Sequence, residues 1–183
     1  TYPSNVSRIE NNILTEDYDL INNYNNVSAQ GFPAIDYMLY GIEANNQLIL
    51  EKYESIQGQE SKYSNYLEAI IENMITNTIE VINYWNNNRQ SFVNSTDNTT
   101  TSSLNLLTND FIFYYEKGLR ANKIGIPAGR FSSTPLPDRV EAYYHQEASK
   151  MLILEALEAC RKFFVGEGFS GEITGESLKT YID

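Results

Sequence analysis

The sequence predicts an all-α protein, and three observations carry that prediction. Apolar residues recur at helical spacing through three long segments, no run alternates with a period of two, and helix-stopping residues collect in two short stretches. A first short helix fits residues 5–14, and a second fits 33–40, where Pro33 suits a first helical turn because its missing N–H would have no partner there anyway. The clearest periodicity covers residues 63–85: Tyr66, Ile70, Met74, Ile75, Ile79, Ile82 and Trp85 fall on one stripe, which must pack against partner helices. Glu68, Glu72, Asn77 and Glu80 fall on the opposite, wet face, and Glu68 and Glu72 receive no further role.

Residues 94–103 form a polar Ser/Thr-rich tract without apolar anchors and read as a mobile, exposed surface loop. A helix over 104–121 follows, with Leu107, Phe111, Tyr115 and Leu119 toward one side. Another fits 146–165, where Met151, Leu154, Leu157, Cys160 and Phe164 make a broad apolar face. The glycine- and proline-punctuated stretches 125–137 and 166–171 are loops between helices, and 176–183 reads as a helix just beginning. Both ends of the sequence therefore look cut.

At 183 residues and 42% hydrophobic content, one domain with a real core is the default expectation. Thirteen basic against 24 acidic residues give a net charge of −11, which leaves no electropositive face for nucleic acid phosphates. No apolar run reaches the ~20 residues of a bilayer span, and the opening residues lack a signal-peptide pattern. The lone Cys160 cannot form an internal disulfide and reads as a small buried hydrophobe.

A single histidine, His145, closes several chemistries. A zincin needs two imidazoles one turn apart, and a ferritin-like di-iron site needs two Glu-x-x-His pairs. A serine nucleophile would need a Gly-x-Ser-x-Gly elbow on a strand, and neither the motif nor the strand is present in the pattern. Gly166, Gly168 and Gly171 match Gly-x-Gly-x-x-Gly only formally, since they follow a helix and not a strand. Glu141 and His145 are four apart and would share a face if residues 140–147 were helical, which would give half of a metal site. No residue is assigned a catalytic role.

Two blocks go beyond generic helix patterning: Ser28-Ala-Gln-Gly-Phe-Pro-Ala-Ile-Asp-Tyr-Met-Leu-Tyr-Gly41, and Leu119-Arg-Ala-Asn-Lys-Ile-Gly-Ile-Pro-Ala-Gly129 continuing through Pro135-Leu-Pro-Asp-Arg-Val-Glu-Ala-Tyr-Tyr144. Together they resemble the imelysin family along nearly the whole chain. The resemblance implies an up-down helical bundle, part of a two-bundle fold of which this chain would be an internal portion. It also implies a location in the periplasm or outer cell envelope, in many members as a lipoprotein, and a link to iron uptake. The family has been classed as peptidase M75, so a metallopeptidase is one alternative, and a helical interaction module for an outer-membrane protein partner is another.

The first block is similar to the family's Gly-x-His-x-x-Glu signature, with Gly31 in the glycine place, Pro33 where histidine would stand and Asp36 where glutamate would stand. The resemblance implies a cleft in which Gly31, Pro33, Asp36, Tyr40, Arg120, Lys123, Tyr143 and Tyr144 contact a small ligand. Asp36, Glu141 and His145 are the candidate ligands of an iron or other divalent cation, for which carboxylate and phenol oxygens suit a hard ion. A structural alternative stands beside this. Asp36 near a helix N-terminus would be stabilised by unpaired amides, while Ile35, Met38 and Leu39 bury the other face.

Overall fold

The computed structural model describes residues 3–54, 61–173 and 175–183. The chain is all-α, and among the described residues β pairing is limited to one isolated antiparallel bridge between Glu167 and Ile173. The helices are α1 (Val6–Thr15), α2 (Gly31–Tyr40), α3 (Asn46–Tyr53), α4 (Lys62–Asn94), α5 (Ser103–Phe113), α6 (Gln146–Val165) and α7 (Leu178–Ile182). Short 3₁₀ turns occupy Tyr24–Ala29 and Pro137–Arg139. Among the described residues no helix is long and apolar enough to cross a membrane. Two compact units result, one made of Thr1–Asn94 with Glu141–Gln146, the other of Ser95–Val140 with Glu147–Asp183.

In the first unit, α1 starts where the Asn5 side chain accepts the Arg8 N–H at 3.1 Å, and it ends at Glu16 in the left-handed conformation with φ +56°. Its buried face, Ile9 and Ile13, joins Ala34, Tyr37 and Met38 of α2 and Tyr66 and Ile70 of α4 in one core. A polar pin runs through that core. Tyr66 donates to the Ala29 carbonyl at 2.9 Å and accepts from the Asn12 side chain at 3.0 Å, and Asn12 also donates to Asn26 at 2.9 Å. Three segments distant in sequence are thus tied by groups that burial would otherwise leave unsatisfied.

Helix α4 runs nine residues beyond the periodic stretch. Only Tyr66, Ile70 and Asn73 are buried along it; α1, α2 and α3 contact it, and the core they share with it takes in Tyr63 to Met74. Ile75, Ile79, Ile82 and Trp85, expected to pack on partner helices, are exposed. Helix α3 and the 3₁₀ turn at Tyr24–Ala29 have no counterpart in the periodicity of the sequence.

In the second unit the predicted 104–121 helix changes character midway. The α pattern holds through Phe113, and Tyr114–Gly125 continues as a π-helix, burying Leu119 and Gly125. Gly118 and Gly125 admit aromatic rings here: a methyl on Gly118 would stand 2.9 Å from the Tyr114 ring, and one on Gly125 2.6 Å from the Phe131 ring. Helix α6 begins at Gln146 as the periodicity predicts, and Phe163 and Phe164 stack on Phe111 of α5 at 5.1 and 6.4 Å. Cys160 is buried, and burial pushes its thiol pKa up. The tract following α4 is exposed over residues 96–101, half-buried at Ser95 and buried at Ser102, whose hydroxyl donates to the Thr99 carbonyl at 2.8 Å. At the 166–171 loop, Gly166 and Gly171 take φ of +73° and +87°, and Glu167 closes the turn on Arg161 at 2.6 Å.

Candidate functional site

The first unit contains the α2 block together with residues 141–146, and these two parts meet through Asp36. Its Oδ2 accepts the backbone N–H of Tyr144 at 2.8 Å and its Oδ1 accepts that of His145 at 2.9 Å. A carboxylate taking two consecutive amides is a charge-assisted clamp, and it fixes where the following side chains lie. The Tyr144 ring lies against Gly41, where any Cβ would run into it, and sits 5.2 Å from the Tyr37 ring. The His145 imidazole stacks on Tyr40 at 4.4 Å and 14°. Tyr143 meets Tyr144 edge-on at 5.0 Å.

The role of Asp36 therefore differs from the expected helix-terminus role. Helix α2 starts at Gly31, with φ +72°, so Pro33 lies in its first turn as expected while Asp36 is its sixth residue, beyond the reach of its unpaired amides. The amides it serves belong to the segment that precedes α6 in the chain. The buried face of α2 is Ala34, Tyr37 and Met38; Leu39, expected inside, is exposed, and Tyr40 is exposed beside it.

The cation set fares differently. Residues 141–145 are a run of bends and not a helix, so Glu141 and His145 do not form the one-turn pair on a shared face. Among the described residues no three His, Cys, Asp or Glu side chains converge as a metal-ligand group. With each Asp36 oxygen accepting an amide, the trio Asp36, Glu141 and His145 does not fit a resident metal. Glu141 itself is half-buried and engaged in an interaction of its own.

A second carboxylate, which carries no recognisable sequence pattern, organises the phenols. Glu10 of α1 accepts the Tyr37 hydroxyl at 2.5 Å and the Tyr63 hydroxyl at 2.8 Å. Burial, reinforced by the hydrogen bond to Glu10, pushes the Tyr63 phenol up to about 12 and Tyr37 further above the ordinary tyrosine value. Tyr53, pushed up to about 12 by burial, stands edge-on to Tyr63 at 6.4 Å and donates to the Met38 carbonyl at 2.7 Å. Tyr144 is raised as well, by burial first and then by Tyr143 and Asp36. At neutral pH these phenols are protonated donors. The only sequence signal that could have pointed to Glu10 is its place in α1, three residues before the buried Ile13.

Arg120 and Lys123 belong to the second unit. Arg120 pairs with Glu116 through Nε at 2.6 Å, and Lys123 is half-buried in the π-helix, where burial lowers its pKa.

No curated protein and no solved structure matches the chain. A family model does: that of peptidase M75, imelysin, matches residues 3–183. The match takes in both conspicuous blocks, residues 28–41 and 119–144. This chain belongs to the imelysin family.

Proposed function

We propose that this imelysin is a non-enzymatic binding protein of the cell envelope that holds a small ligand, or a hard cation as cargo, in the service of iron acquisition. The observation that carries the reading is the Asp36 clamp, which joins the signature block to the Tyr143–Tyr144–His145 segment and groups carboxylates with phenols in one unit. Oxygen donors of this kind suit hard cations and polar small molecules better than soft metals. The envelope location and the tie to iron rest on the family resemblance.

In this reading Asp36 is a positioning residue. It sets the backbone of Tyr144 and His145, and the side chains of Tyr40, Tyr143 and His145 face the ligand. The peptidase alternative is motivated by the family's classification alone, since the one histidine is followed three residues later by Ala148. The exposed Ile75, Ile79 and Ile82 on α4 favour the other alternative, a helical module that presents an apolar face to an outer-membrane partner.

Equilibrium titration with ferric ion and with divalent cations, followed by tyrosine and Trp85 fluorescence, tests the proposal. Binding that weakens about tenfold or more in Asp36→Ala and in Glu10→Gln is the expected result. Affinities unchanged in both variants would remove the assignment. Metal-dependent cleavage of an unstructured polypeptide, abolished by chelator, would replace it with the peptidase.

A further inference from the structure

Independently of the Asp36 site, we infer that the π-helix of the second unit carries a binding site for a small organic carboxylate with an apolar body. The groove beside this helix holds about 400 Å³, within the roughly 300–1,000 Å³ typical of small-molecule sites. Its walls are of two kinds. Lys117 and Arg120 supply cationic groups, while Ala121, Ile126 and Phe131 supply an apolar floor. In a chain of net charge −11 this is a local surplus of positive charge, two cations against the single carboxylate of Glu116.

The arrangement follows from the backbone. In a π-helix the wider turn changes which side chains share a face, and such segments recur at functional sites. Gly125 is buried at its end, and the missing side chain lets the Phe131 ring lie close to the helix backbone. The turn that returns Phe131 to the helix is closed by Arg130 N–H donating to the Gly125 carbonyl at 2.7 Å. Phe131 nevertheless stays 61% exposed, so an apolar ligand body placed there would remove aromatic surface from water.

Arg120 is held but not used up. Its Nε and one Nη both point at a single oxygen of Glu116, at 2.6 and 2.5 Å, in a pair about half-exposed on both sides. An exposed pair of this type is weak and exchangeable. An incoming carboxylate can take the guanidinium in a two-pronged arrangement, with the Lys117 ammonium, which has no ion pair among the described residues, as a second contact. Inorganic phosphate satisfies the cations but leaves the Ile126 and Phe131 floor wet, so the occupant is an organic acid and not a bare anion.

Calorimetric titration of the full chain with phenylbutyrate, its primary amide and inorganic phosphate tests the inference. Phenylbutyrate should bind, the amide and phosphate should not, and affinity should fall at least about five-fold in Arg120→Gln and by a smaller factor in Lys117→Gln. Glu116→Gln should tighten binding, because it removes the competing carboxylate; a merely structural Glu116–Arg120 pair would not produce that gain. Equal binding of acid and amide, unchanged affinity in Arg120→Gln, or no binding of phenylbutyrate at millimolar concentration would each overturn the inference.

Discussion

The two units of this protein are held together by different kinds of interaction. The first buries Ile9, Ile13, Met38, Tyr66 and Ile70 in one cluster and threads it with buried hydrogen bonds that span 14 to 54 residues of sequence. In the second, the buried hydrophobic residues among those described are Leu119 and Cys160; Phe111 stacks on Phe163 and Phe164 across the sequence, while the polar side-chain pairs are short in range: Glu116 with Arg120, Glu158 with Arg161, Ser177 with Thr180. Helix patterning places α5 and α6 of the second, whereas the polar interior of the first depends on particular side chains finding distant partners.

That contrast sets an order of mutational effects. The largest belongs to Ile70→Ala, which opens a cavity where α4 meets α1 and α2 and should cost about 2–5 kcal/mol in denaturant unfolding. A loss well under 1 kcal/mol would mean that this core is loose and that the contrast is overstated. Next comes Tyr66→Phe, which keeps the ring but strands the Ala29 carbonyl and the Asn12 amide. A cost of about 1–3 kcal/mol is expected by the same measurement, and a neutral result would deny the polar pin its role.

Alkaline pH sharpens the comparison further. Tyr63, pushed up to about 12, and Tyr37, raised beyond it, bind their protons more tightly folded than unfolded. Their contribution is fully present below the ordinary tyrosine pKa near 10 and is lost as pH rises through the folded values. The first unit should therefore lose stability progressively above about pH 10, and Tyr37→Phe/Tyr63→Phe should flatten that loss when circular dichroism is followed against pH. An alkaline profile identical in the double variant would contradict the assignment. The smallest effect is expected in the second unit. Arg161→Gln breaks an exposed pair with Glu158 and a partly exposed one with Glu167, and should lower the thermal midpoint by no more than a degree or two, about 0–1 kcal/mol, at physiological salt.

Much of the fold was legible in advance. The α6 boundaries and the α1 and α2 spans follow from apolar spacing and from Pro33, because helical period and cap chemistry act locally. Helix α3 was not legible, since Leu48, Ile49 and Leu50 form a contiguous apolar run that carries no helical phase. Nor was the shift at Tyr114, which alters a hydrogen-bond register that side-chain spacing does not encode. Of the candidate site, the nearness of the α2 block to Tyr144 and His145 was an expectation from the resemblance, and the contact present is Asp36 with the two amides. The partners of Asp36 could not be foreseen, because they are backbone amides, which every residue but proline possesses. Glu10 escaped for a related reason: a carboxylate on an amphipathic helix looks like any solvated one until Tyr37 and Tyr63 arrive from elsewhere in the chain.

Asp36 fastens the Tyr144–His145 backbone to α2, and amide hydrogen exchange on those two residues reads that fastening out. Both amides should be protected in the wild-type protein and exchange much faster in Asp36→Ala, while amides of Ile9 and Ile70 keep their protection. Fast exchange at Tyr144 and His145 in the wild type, or protection that survives the substitution, would contradict the claim.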